Sequence, residues 1–380
     1  MWLAAGVLLT LLASACRGAD EAAHGNQRGA WSHGQEWRLV EEARVGLRED
    51  GGPEMFANIV DVTIDGMDRL WVADAQQHQI RIFEANGHHV RSIGGPGGGP
   101  EEFAGIAGMA WAPDGRLWVV DDGNARFAVY DTAGALVATH PRSTVMTTSP
   151  WPGRFDALGR LYDVTGTVEA DGSIRTAIVR SDTTGQPRDT FHLPEFRTET
   201  FRIERGDARN RRVTQVTVPF TGRQVWALDP TGGVWVANTA EYRIERHAFD
   251  AGASQTVVER ENPRVPVSRE ARDRVVESFS DFARQGGRID VSRIPAFHPP
   301  IAGFLFDDAG RLWVIPMTGR GEARVLDVFE ADGRYLGRVV LPGPYRSTPR
   351  AIRGNRMAVV VRDDDDVPSL TVMRIEKPAR

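Results

Sequence analysis

The sequence predicts an all-β fold, a six-bladed β-propeller of four-stranded antiparallel blades, and three observations carry that reading. One short motif recurs along the chain at blade-sized intervals. Turn-forming residues are abundant, with 40 glycines and 22 prolines among 380 residues, which favours many short strands over long helices. Runs rich in Val, Ile, Leu and Trp flank each copy of the motif, as buried strands require.

The first element is not a strand. Residues 1–15 are apolar and uncharged and stop at Cys16, the only cysteine. A stretch of that length is too short to span a bilayer and reads as the apolar region of a signal peptide. Leu12-Ala13-Ser14-Ala15-Cys16 resembles a bacterial lipobox, which implies lipidation at Cys16 and an extracytoplasmic, envelope-anchored protein. The segment lacks Lys or Arg before its apolar run, and Ala13 stands where Leu is commoner. Residues 16–34 are small and polar and read as a flexible tether, so the propeller itself spans residues 35–380.

The motif is an Asp, two spacers, a Gly or its equivalent, then an aliphatic–aromatic pair. Its copies begin at Asp65, Ala112, Asp156, Asp229 and Asp307, and a degraded sixth is Gly354-Asn355-Arg356-Met357-Ala358-Val359. The glycine-equivalent positions are 68, 115, 159, 232, 310 and 355, giving intervals of 47, 44, 73, 78 and 45. Three intervals match one four-stranded blade, and the two longer ones match a blade plus an insertion of roughly thirty residues. Within each copy the Asp bonds its own backbone and the Gly takes positive φ, so the motif is a tight turn between two strands. The aromatics Trp71, Trp118, Tyr162, Trp235 and Trp313 fall two residues past the turn, where they would pack between neighbouring blades. Blade six runs out of chain before its outer strand, and Trp37–Val45 is a spare strand at the other end. Pairing the two ends closes the ring and removes an exposed sheet edge.

The segment Trp118-Val119-Val120-Asp121-Asp122-Gly123-Asn124-Ala125-Arg126-Phe127 resembles an NHL repeat. The copies at Trp71–Phe83 and Trp235–Ile244 fit it more loosely. From about Trp37 onward the chain resembles the bacterial six-bladed propeller lipoproteins with NHL-like blades. That resemblance is specific for fold and weak for function, because propellers host binding proteins, scaffolds, lyases and lactonases alike.

Propeller winding sorts the loops. Motif turns share one face, while second-to-third-strand loops and blade connections share the other, and both insertions fall on this second face. The first, about residues 194–219, reads as a basic β-hairpin carrying Arg202, Arg205, Arg209, Arg211 and Arg212. Such a patch suits an acidic polysaccharide or lipid headgroups; a hairpin salt-bridged to the acidic face is the plainer reading. The second, about residues 260–297, holds a helix over Ser268–Ala283 with Ser268 as N-cap, Gly286-Gly287 as stop, and Val275, Val276, Phe279 and Phe282 on one stripe. A lid packed on the propeller rim accounts for it, and a partner-docking helix is the sharper alternative.

The same face should carry Asn58, Asp74, Asp121, Asp122, His298 and the acidic run Asp363, Asp364, Asp365 and Asp366. Converging carboxylates with carbonyl oxygens would suit Ca²⁺. Turn capping by Asp74 and Asp121, and a solvated loop at Asp363–Asp366, explain the same residues without an ion. His298 maps to a channel mouth, but one histidine does not make a metal site, and Asn58 reads as a core amide. No phosphate loop or nucleophile elbow is present, and no cofactor is called for. A net charge of −5 and an extracytoplasmic location speak against nucleic acid, and the membrane is met through the N-terminal lipid alone. The sequence therefore points to a non-enzymatic binding or scaffold module of the cell envelope, its partner an unidentified protein or a small or polysaccharide ligand. A divalent-metal-dependent hydrolase or lyase using His298 at the channel is the alternative.

Overall fold

The computed structural model of the protein describes residues 28–46, 55–143, 148–168, 174–183, 186–205, 210, 212–249, 254–343 and 347–378. Six four-stranded antiparallel sheets follow one another in chain order. Blade one is Ile59–Ile64, Leu70–Asp74, Gln79–Phe83 and His89–Gly94. Blade two is Ile106–Trp111, Leu117–Asp121, Arg126–Tyr130 and Leu136–Pro141. Blade three is Arg154–Phe155, Leu161–Val168, Ile174–Ser181 and Pro187–His192. Blade four is Gln224–Leu228, Val234–Asn238, Arg243–His247 and Ser254–Glu259. Blade five is Ile301–Phe306, Leu312–Pro316, Arg324–Phe329 and Tyr335–Leu341.

Blade six takes three strands from the C-terminal end, Ser347–Arg353, Arg356–Arg362 and Pro368–Glu376, and its outer strand, Arg38–Val45, from the N-terminal end. The closing ladder runs from Arg38 opposite Glu376 to Val45 opposite Leu370. One bulge, at Glu42, interrupts it. That bulge residue is not idle: its carboxylate takes Arg356 Nε at 2.9 Å and Arg374 Nε at 3.2 Å. Arg356 also pairs with Asp68 in the blade-one turn, so one charge cluster ties both chain ends to the next blade. Part of the segment expected as a tether packs on the propeller. Ala30 N–H and Trp31 N–H bond the Tyr335 and Leu336 carbonyls of blade five, and Trp31 packs on Trp37 with ring centroids 5.1 Å apart.

Second strands such as Leu70–Asp74 are buried on both faces, because each blade is covered by a neighbour on either side. Six apolar clusters fill the interfaces. One joins blade six and the closing strand to blade one through Val45, Val72, Ala358 and Val372. Trp71 fills the next, between blades one and two, and Trp313 sits in the one between blades five and six.

The motif acts through its carboxylate. Asp307 accepts hydrogen bonds from Ala309 N and Arg311 N with one oxygen, and from Arg311 Nε and Trp313 Nε1 with the other. Asp65 does the same for Met67, Arg69 and Trp71, and Asp229 for Thr231, Gly233, Trp235 and Arg246. One buried side chain thus fixes the turn and orients the aromatic wedge. The glycine at the turn is required: Gly232 has φ +87°, and a Cβ there would lie 2.1 Å from the Tyr162 hydroxyl.

Two copies depart from the pattern. Blade two has Ala112 where the others have Asp, although the same backbone bond forms, Ala112 N to Arg116 O at 2.8 Å. Its Trp118 is correspondingly less buried than its counterparts and stacks flat on His140 at 4.8 Å. In blade six Arg353 pairs directly with Arg356, so the turn has two central residues. Gly354 carries the positive φ of +59°, rather than the aligned position 355.

Asp307→Ala should therefore cost about 2–4 kcal/mol, because it strands a buried indole N–H and two turn amides. Urea unfolding followed by tryptophan fluorescence measures it. The same method should find Ala112→Asp neutral or stabilising.

Candidate functional site

Both insertions leave blade connections on the face opposite the motif turns. The first is the hairpin Thr200–Arg205 with Arg212–Thr217. Its neck closes by Val218 N–H to Glu199 O at 2.8 Å. The second rises from a neck where Val267 N–H meets Ala296 O and His298 N–H meets Val265 O, both at 2.9 Å. It holds helices α1 (Arg269–Ser278) and α2 (Ser280–Arg284). The single helix expected over Ser268–Ala283 is thus broken at Phe279. Ser268 caps α1, accepting from Ala271 N at 3.1 Å, and Gly286 ends the helical run with φ +83°.

The insertions pack on each other. Phe201 and Val218 of the first share a core with Phe282 and Ile294 of the second, with Val276 and Phe279 packed against it. Val275 of the expected stripe lies outside that core. Arg293 pins the joint by donating to Thr200 O at 3.1 Å. The two segments form one cap.

Beneath the cap lies a cleft of about 910 Å³ over blade four and its connection to blade five. Its walls carry Arg243, Arg260 and Arg264 against Glu199, Glu241, Glu259 and Glu261, with Phe220, Tyr242, Phe297 and His298 between them. The floor is rigid. Tyr242 and Tyr335 hydroxyls donate to the fully buried Asp327 at 2.8 and 3.1 Å, and Arg338 Nε joins at 2.8 Å. Burial, reinforced by the Asp327 charge, pushes the Tyr242 phenol well above its ordinary value. Phe297 is 41% exposed, with Arg264 over its ring at 5.5 Å. An apolar ring kept open to solvent between charged groups suits a polar ligand with one apolar edge.

His298 belongs to this cleft, not to the central channel. Its ring packs edge-on against Phe220 at 4.9 Å, and burial lowers its pKa, favouring the neutral form. The carboxylates do not converge. Asp74 is buried and accepts from Ala57, Asn58 and Gln77 N–H; Asn58 takes part through its backbone, whose carbonyl accepts from Ala75 N. Asp121 is buried too, accepting from Ala104 and Gly105 N–H and from Asn124 and Arg126 side chains. Asp122 pairs with Arg142, which also grips Asp163 at 2.8 Å. Asp363 caps its own turn through Asp365 N and Val367 N, while Asp364, Asp365 and Asp366 face solvent. Among the described residues no three His, Cys, Asp or Glu side chains are grouped to hold a metal ion.

In the basic patch, Arg202 pairs with Glu204 of its own strand at 2.6 Å instead of reaching an acidic loop. Arg205 and Arg212 are exposed and directly paired in the hairpin ladder. Arg209, Arg211 and Cys16 lie outside the described residues, as does all of residues 1–15. Among the described residues no helix is long and apolar enough to cross a membrane.

Sequence reasoning named the channel but not the residues that line it. The inner strands of all six blades enclose about 430 Å³, lined by Arg154, Arg350 and Arg353 and by Asp61, Asp307 and Asp308 among largely apolar groups. Asp61 accepts from Val62 N at 2.9 Å and Met109 N at 2.8 Å. Burial raises its pKa to about 6, although those two bonds and the Arg350 charge pull it down.

Residues 54–190, spanning most of blades one to three, match a family described as 6-bladed beta-propeller. A putative exported protein from Bacteroides fragilis is similar at 12% identity over 92% of this chain and 98% of its own, with a TM-score of 0.51. The chain is a six-bladed β-propeller. A gluconolactonase from Xanthomonas campestris is similar at 14% identity over 84% of this chain and 87% of its own, with a TM-score of 0.46. The calcium-binding protein regucalcin from Agrobacterium tumefaciens is similar at 16% identity over 90% and 96%, with a TM-score of 0.43. At these identities the likeness shows a fold and no activity. No curated protein matches the chain.

The raised Asp61 pKa has a definite sign. The folded state holds the proton more tightly than the unfolded chain, so this group's contribution to stability falls as pH rises from about 4 to about 6. Between pH 7 and pH 4 the wild type should gain about 1–3 kcal/mol relative to Asp61→Asn. Parallel urea titrations of the two proteins at both pH values measure the difference.

Proposed function

We propose that this chain is an exported, lipid-anchored binding or scaffold propeller with NHL-like blades, and that its ligand docks in the cleft beneath the cap. The observation that carries the reading is the cleft: about 910 Å³, open, mixed in charge, with a solvent-facing Phe297 held over a floor of buried hydrogen bonds. Pre-formed pockets with a few fixed polar groups are how binding sites keep affinity without reordering on contact. The NHL-like reading rests on Trp118–Phe127, and export and lipidation rest on residues 1–16. The ligand class is an envelope protein or a small or polysaccharide molecule, with both acidic and basic groups to satisfy the walls.

Purified protein beginning at residue 17, immobilised and exposed to envelope extract, tests this. The wild type should retain a defined species, and a Phe297→Ala, Arg264→Ala double variant with unchanged melting should lose most of it. Equal retention by both would remove the cleft from the function. A stoichiometric divalent ion in metal analysis of the wild type would favour a metal-dependent hydrolase or lyase instead.

A further inference from the structure

The inner-strand channel presents a second set of groups on the opposite side of the disc from the cap. Arg350 is the extra residue of a bulge in the blade-six inner strand, between the pairs Pro349–Val359 and Ala351–Ala358. It lines the channel, and among the described residues its guanidinium makes no hydrogen bond or ion pair; its Nε is buried without a partner. A buried guanidinium nitrogen left in that state costs free energy that a bound acceptor would recover. Arg353, three residues on at the turn end of the same strand, lines the channel too, and no side-chain hydrogen bond engages its guanidinium among the described residues. Arg154 comes from blade three, spending one N–H on the Leu228 carbonyl. Arg154 and Arg353 also border an adjoining hollow of about 340 Å³ among the motif turns, at Gly66, Gly115 and Ala157, so the channel is continuous with that face.

The acidic groups in the same space are accounted for. Asp307 is saturated by its own turn, Arg311 and Trp313. Asp308 accepts from Gly354 N at 3.0 Å. Asp61 faces the channel with each oxygen already accepting a backbone N–H. Three guanidiniums therefore meet three carboxylates, of which Asp307 is already paired with Arg311, and Arg350 and Arg353 hold the unused donors.

We propose that the channel, entered from the motif-turn face, binds a small oxyanion, a carboxylate or phosphate group, between Arg350, Arg353 and Arg154. Planar guanidiniums present paired N–H donors that match two oxygens of such a group. A volume of about 430 Å³ admits a metabolite-sized acid and excludes a polymer chain. This site is separate from the cleft beneath the cap and does not depend on it.

Calorimetric titration of the purified protein with sodium phosphate and with sodium succinate, against sodium chloride at equal ionic strength, tests the proposal. At least one of the two should bind saturably and raise the melting temperature, and the identity of the better ligand distinguishes phosphate from carboxylate. Arg350→Met should weaken that binding by about tenfold or more while leaving the unliganded melting temperature little changed, since it removes a half-buried cation whose Nε has no hydrogen-bond partner. Arg353→Met, nearer the mouth, serves as the second variant should Arg350→Met fail to fold. No saturable heat with either anion, or binding that both variants keep at wild-type strength, would overturn the site.

Discussion

A four-stranded blade has two apolar faces and no means of covering either by itself. Val72, Val119, Val314 and Val359, in second strands around the ring, are all fully buried, and each is covered only because a neighbouring blade stands against it. Such a stack stays open at its ends unless the last blade meets the first. Here that meeting is made by a strand, Arg38–Val45, taken from one end of the chain and hydrogen-bonded to Pro368–Glu376 at the other. The covalent chain enters the ring at blade six and leaves it at blade six, so that sheet joins both ends. The Glu42, Arg356, Arg374 and Asp68 cluster lies over the joint, and Val45, Leu370 and Val372 lie beneath it. The channel is geometry that a closed ring imposes.

Most of the ring was legible in the sequence because its signals are local. An Asp and a Gly at fixed offsets from a Trp make a turn whose hydrogen bonds lie within seven consecutive residues, as at Asp307–Trp313. The spare N-terminal strand was readable from a count of strands. Departures arose where one local rule gave way to another. Blade six replaces the Asp–Gly turn with a tighter Gly354-Asn355 pair, which moves the positive φ by one residue. The helix in the second insertion bends at Phe279 so that Val276, Phe279 and Phe282 all reach the hairpin core. Nothing in its own residues announces that partner.

The candidate sites were less legible for the same reason. The sequence offered Asp74 and Asp121 both as ion ligands and as turn caps, and the backbone N–H donors that each accepts from show the caps. His298 was placed at the right end of its strand and assigned to the wrong space, because the cleft exists only after two insertions separated by one blade pack together. Asp61 and Arg350 carry no motif at all. They come into one space from blades one and six only through closure of the ring, and the bulge that admits Arg350 lies in the most degraded repeat. The resulting molecule divides its labour by face, with irregular, mixed-charge chain on one side and a cation-lined opening among regular turns on the other.

The closing strand is the point at which the whole account is most exposed, and native-state hydrogen exchange reads it without altering the chain. If closure underlies the ring, the hydrogen-bonded amides of Arg38–Val45 should open only with global unfolding, at the same free energy as those of Leu70–Asp74 and Leu117–Asp121. Exchange of the N-terminal strand at a free energy several kcal/mol lower, with blades one and two still fully protected, would show that the ring holds without its clasp and would contradict the account.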